Sequence, residues 1–190
     1  VARFVPDHVT QADDSRCQWA NCWASVGAWL AAGSSGGTRA PGPTFFRYRA
    51  AKGGNDCSTG GLADMIRGLT NMGLADRAKY RANVPVDDVR TMLRRRNGAL
   101  VALETDFGSY PDKDNCQSGF AGYHSIGAIC GVGTDKHRGE VRTMDPLCRD
   151  YRWVDIDGVL ASALEYNREH QEAKGTLDLI VVLPPFEEKA

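Results

Sequence analysis

Hydrophobic positions in the first half of the chain recur at helical spacing, and after residue 98 they give way to short alternating runs. Residues 22–32, with a start anywhere from Trp19, are apolar nearly all round (Trp19, Cys22, Trp23, Val26, Trp29, Leu30). That pattern predicts a helix in the middle of a core rather than on its rim. Thr59 is placed to cap a second helix over residues 60–72. There Leu62, Met65, Ile66, Leu69 and Met72 keep helical spacing and Gly73 supplies the stop. Pro85 suits the first turn of a third helix with Val86, Val89 and Leu93 inward, ended by Asn97-Gly98.

The alternating half predicts strands. Residues 99–104 (ALVALE) are a short apolar run, and residues 123–132 (YHSIGAICGV) alternate with His124, Ile126, Ala128 and Cys130 on one face. Residues 140–145 (EVRTMD) alternate too, and the intervening GTDKHRG reads as a hairpin loop. Asp157 can cap a helix running to about residue 169, and residues 177–183 (LDLIVVL) form a closing strand stopped by Pro184-Pro185. Helices first and antiparallel strands second read as an α+β fold. Residues 33–43, rich in Gly, Ser and Pro, and residues 106–122 read as loops inside the domain. With neither repeats nor low-complexity tracts, the 190 residues are read as one domain, its core spanning about residues 15–185.

Composition narrows the function classes. Lys plus Arg number 23 and Asp plus Glu 24, for a net charge of −1. That balance gives no electrostatic footprint for nucleic acid and no polybasic membrane anchor. The sequence contains no stretch long and apolar enough to cross a membrane. Residues 1–11 lack the apolar region of a signal peptide, so synthesis in the cytoplasm is expected, where thiols stay mostly reduced. Two features stand out: 21 glycines, above the roughly 7% background, and six cysteines. No cysteine spacing matches a zinc site, and Gly131-Val132-Gly133-Thr134 lacks a nucleotide-binding pattern. Neither metal nor cofactor is expected.

Cys22 begins the buried helix. A helix N-terminus offers partial positive charge and free N–H groups, which favour a thiolate and can hold an oxyanion. A cysteine nucleophile needs a base brought to it in space. His124 opens the best strand, and Asp145 ends the next one, where a hairpin returns it to the neighbourhood of residue 127 or slightly before. The order Cys22, His124, Asp145 reads as nucleophile, base and orienter. Each also has a plainer reading: a small buried hydrophobe, a half-buried histidine, a turn residue before Pro146.

Cys22-Trp23-Ala24 resembles the segment that opens the central helix of papain-like cysteine peptidases, although Trp19-Ala20-Asn21 stands where the signature has Cys-Gly-Ser. Gly122-Tyr123-His124-Ser125-Ile126 and Met144-Asp145-Pro146-Leu147 resemble the His strand and Asp-Pro turn of the compact bacterial branch, which includes bacteriocin leader peptidases. Together with the Gly60-Gly61-Leu62 helix start and Trp153, the set is similar to peptidase-like tail- or lysis-associated proteins of actinobacterial phages. The resemblance covers about residues 18–163.

The resemblance implies a papain-like fold, with the cysteine helix packed on an antiparallel sheet that carries His and Asp. It implies a cysteine peptidase or amidase cutting peptide bonds, with bacterial cell-wall peptidoglycan as the substrate when a phage enters or lyses the cell. The protein would be virion-associated or released by lysis, with other tail proteins as partners. It also implies a glutamine upstream of the cysteine as an oxyanion donor. Gln18 is preferred to Gln11, since Arg16 holds the usual spacing. Cys17 competes with Cys22 as nucleophile. If Cys22 is free, five cysteines remain, so one more is unpaired: Cys130 reads as a core thiol, and Cys116 and Cys148 can meet. A different class of function also fits: a virion tail structural subunit on a peptidase-like scaffold with little or no activity.

Overall fold

The computed structural model describes residues 5–13, 17–37, 39–50, 57–116 and 122–183. Its organising contact is between Trp29 and Gly127. A Cβ at Gly127 would lie 2.5 Å from the Trp29 ring, so only glycine lets the indole lie flat on the strand. That close approach seats helix α1 (Cys22–Ser35) against strand β3 (Tyr123–Val132). From Trp23 to Ser34 every residue of α1 is buried, as the all-round apolar pattern predicts.

The sheet has six strands in the order β1-β6-β2-β3-β4-β5, and every neighbouring pair is antiparallel. The others are β1 (Ala78–Pro85), β2 (Leu100–Asp106), β4 (Glu140–Met144), β5 (Arg152–Asp155) and β6 (Thr176–Val182). Helices cover both faces. On one side α1 packs with α2 (Pro43–Arg49) and α3 (Leu62–Asn71), around Trp23, Trp29, Phe46, Met65 and Leu69. On the other side lie α4 (Val86–Arg94) and α6 (Ile156–His170), around Val89, Leu93, Ile126, Val159 and Leu160. A short α5 (Lys113–Cys116) completes six α-helices among the described residues. The period of two sorts β2 between the cores: Leu100 and Ala102 face α1, and Val101 and Leu103 face α4 and α6. The architecture is a mixed α+β fold.

Several expectations need correction. The second helix begins at Leu62, because the Gly61 N–H bonds back to Asp64 Oδ2 at 3.1 Å; Thr59 is not its cap. Gly73, at φ +76°, ends it as expected. The third helix starts at Val86 rather than Pro85, which instead closes strand β1. Strand β1 was not expected: its outward residues are largely polar, and pairing with β6 is what makes it a strand. The 33–43 loop is shorter than expected, since α1 runs to Ser35 and α2 begins at Pro43. The last helix is capped by Asp155, whose carboxylate accepts the Gly158 N–H at 2.8 Å; Asp157 lies within its first turn. Residues 1–4, 117–121 (with Gly119) and Pro184-Pro185 lie outside the described residues.

Candidate functional site

Asn21 and Arg47 fix the start of α1. The buried Arg47 guanidinium donates to Asn21 Oδ1 (Nε 3.0 Å, Nη2 2.5 Å) and, at 3.0 Å, to the Ala20 carbonyl. It also donates to the Ser58 carbonyl at 2.9 Å, and its plane lies 5.2 Å from the centre of the Trp23 ring. One arginine thus ties the residues before Cys22 to the segment before Gly60. A disulfide between Cys17 and Cys57 ties the same two segments covalently. Cys22 follows as a free, partly exposed thiol at the first position of α1.

His124 and Asp145 meet as the hairpin predicts. Gly127 of β3 pairs with Met144 of β4, so Asp145 falls beside the beginning of β3. His124 Nε2 and Asp145 Oδ1 are 2.6 Å apart, and both side chains are 1% exposed. The same Oδ1 accepts the Leu147 N–H at 3.0 Å, and the Asp145 carbonyl accepts from Cys148 N at 2.9 Å and His8 Nε2 at 3.0 Å. A second disulfide, Cys116–Cys148, closes this turn. Burial opposes a charge on His124, but the Asp145 carboxylate and the Cys22 side chain outweigh it and lift its pKa to about 10. Burial also holds His8 below its usual value, which the contact with the Asp145 carbonyl only partly offsets.

The Cys22 thiol donates to Ser125 Oγ at 3.9 Å, and Ser125 donates to Glu104 Oε1 at 2.7 Å. Glu104 is buried, and burial raises its carboxyl to about 7 against the pull of Ser125 and His124. Gln18 lies in a single 3-10 turn before Cys22, where its carbonyl accepts the Gln11 side-chain amide at 2.6 Å. The cleft over Cys22 is walled by Trp19, Ala20, Thr59, Gly60, Gly61, Gly122, Tyr123 and Tyr166, with Glu104 also lining it. Gly60 is required there, since a Cβ would lie 2.7 Å from the Trp23 ring.

The expectation of an active cysteine peptidase, and with it hydrolase and thiol-protease chemistry on cell wall, is corrected by the cysteines. Four of the six are joined in disulfides, so the chain's sulfur chemistry is chiefly that of covalent staples, contrary to the mostly reduced thiols expected. Cys17 is committed to Cys57 and drops out as a nucleophile. Cys22 remains a thiol, donating to Ser125 Oγ, which in turn donates to Glu104. With its pKa lifted to about 10, in part by Cys22 itself, His124 is held as a buried cation against Asp145. The expected residues Cys22, His124 and Asp145 do come together, while the Gln18 carbonyl accepts the Gln11 side-chain amide.

Sequence reasoning missed Glu104, Ser125 and Arg47. Alternation along 99–104 places Glu104 on the α1 face with Leu100 and Ala102, so its direction was legible; its partner Ser125 required the β2–β3 register. Asp112, Cys116 and Cys148 bring three potential ligand atoms within 4.8 Å, but both sulfurs belong to the disulfide and Asp112 accepts from Arg152 at 2.9 Å. No helix of the described residues is long and apolar enough to cross a membrane. Neither a protein-family model nor a curated protein sequence matches this chain.

Proposed function

We propose that the chain is a structural, ligand-holding subunit of a virion tail on a peptidase-like scaffold, with weak or no hydrolytic activity; the resemblance to phage proteins supports the tail assignment. Two disulfides, one behind the cleft wall and one at the Asp145 turn, carry this reading. Cys17–Cys57 fastens the wall that holds Trp19 and Gly60, and Cys116–Cys148 fastens the turn that holds Asp145. Such closures limit the unfolded state and suit a part that must keep its shape. The protonated His124 then acts as a buried cation clamped to Asp145.

The experiment is a hydrolysis assay of the purified, oxidised chain beside Cys22→Ala, on cell wall and on a mixed peptide library, followed by mass spectrometry. The expected result is no cleavage that depends on Cys22. Turnover by the parent chain that disappears in Cys22→Ala overturns the proposal.

A further inference from the structure

Three aromatic side chains, Trp19, Tyr123 and Tyr166, stand around the cleft. Trp19 is 66% exposed and Tyr123 56% exposed, although large apolar rings are normally covered. Tyr166 completes the set on α6, its ring 5.6 Å from Tyr123 at 81° and stacked on His170 at 4.4 Å. The same cleft is lined by Glu104, whose residue is only 7% exposed. Ser125 occupies its Oε1, and no hydrogen bond reaches Oε2 among the described residues. A buried carboxyl open on one oxygen, beneath aromatic faces, is the acceptor set that recognises an ammonium group. Gly61 borders the carboxyl, since a Cβ there would come within 3.8 Å of Glu104 Oε1.

We propose that this cleft binds a lysine-type side chain of a peptide, its ammonium on Glu104 and its aliphatic stem against Trp19, Tyr123 and Tyr166. The inference rests on reading the cleft as a binding rather than a hydrolytic surface. Phenylalanine-type ligands fit the walls but leave Glu104 desolvated and unanswered; anionic ligands are repelled by it. Burial lifts the Glu104 carboxyl to about 7, so the ammonium is held more tightly at pH 8 than at pH 6. Other titratable groups around it are His124 on β3, Asp64 on α3, Cys22 on α1, and Tyr123 and Tyr166 beside the opening. The His124 cation favours the ionised carboxylate, Asp64 opposes it, and neither changes the direction with pH between 6 and 8.

The test is titration of the full oxidised chain at pH 8 with acetyl-Ala-Lys-Ala-amide, and with the norleucine and glutamate counterparts, followed by indole NMR shifts. The lysine peptide should bind at least about tenfold more tightly than norleucine, the size of a charge-assisted hydrogen bond. Glu104→Gln, folded by circular dichroism, should erase that preference; Trp19→Ala, at an exposed position, should weaken lysine and norleucine binding together. Equal affinities, no binding, or a preference that survives Glu104→Gln overturns the inference. Cys22-dependent cleavage of the bound peptide overturns the structural reading instead, and leaves lysine recognition standing.

Discussion

His124 and Asp145 form a closed pair, 2.6 Å apart and 1% exposed on each side, at the meeting point of β3 and the turn after β4. Their hydrogen bond joins two segments that only the hairpin brings together. It sets the first prediction. The His124 pKa of about 10 lies above its ordinary 6.5, so the pair stabilises the fold fully below 6.5 and loses that contribution as pH rises through 10. Asp145→Asn should cost about 3 kcal/mol or more at neutral pH, because it leaves the imidazolium uncompensated or forces it to lose its proton. Urea unfolding measures the loss, and an NMR titration of the His124 ring should show its pKa fall in the variant. An unchanged titration midpoint would show that Asp145 is not what holds the proton.

Glu104 carries the opposite sign for a carboxyl. Its pKa is raised from 4.5 to about 7, so burial is tolerated while the group is neutral. Stability from this group is complete below 4.5 and is lost as pH rises through 7. Glu104→Gln should therefore gain on the order of 1–3 kcal/mol at pH 8 and little at pH 4. Denaturation midpoints at the two pH values provide the comparison, and a gain of equal size at both would point to packing rather than charge.

Cys22 and Cys130 are the two free thiols, and they should label differently. Cys130 is 1% exposed and burial pushes its thiol up to about 12, so iodoacetamide should leave it untouched in the native chain. Cys22, partly exposed, should react no faster than an ordinary peptide thiol if the chain is a scaffold. Timed alkylation read by peptide mapping distinguishes them. A rate far above that of a simple thiol at neutral pH would argue for a nucleophile.

The two disulfides close separations of 40 and 32 residues. Each should contribute roughly 3–4 kcal/mol by restricting the unfolded chain. Replacing Cys116 and Cys148 together by Ser should lower the unfolding free energy by that amount and also loosen the Asp145 turn. A fall in His124 hydrogen-exchange protection would register the second effect; unaltered protection would confine the disulfide to a purely entropic role.

Arg47 has no exposed surface and donates to Asn21, Ala20 and Ser58. Arg47→Met keeps much of the volume and removes those bonds, so it should cost about 3 kcal/mol or more and unfasten the N-terminal end of α1. Thermal unfolding gives the cost. Near-ultraviolet circular dichroism should report a change at Trp23, over which the guanidinium lies.

The sequence by itself determined the elements whose cause is local. The all-round apolar run of 22–32 could satisfy itself only as a buried helix, and the alternation of 123–132 could place its residues only on the two faces of a sheet. The hairpin loop between β3 and β4 was short enough for the meeting of His124 with Asp145 to follow from counting residues. What remained depended on partners far away in the chain. The polar β1 is a strand because β6 pairs with it, and Glu104 is buried against Ser125 because β2 and β3 share one register. Six cysteines admit many pairings, and only the folded backbone brings Cys17 to Cys57 and Cys116 to Cys148. Local periodicity therefore placed the imidazole and the carboxylate near one another, while the tertiary structure brought the thiol to them and decided which sulfurs are locked and which buried charges face the cleft. Covalent pairing and burial are properties of distance in space, and a linear pattern carries them only where the intervening chain is too short to do otherwise.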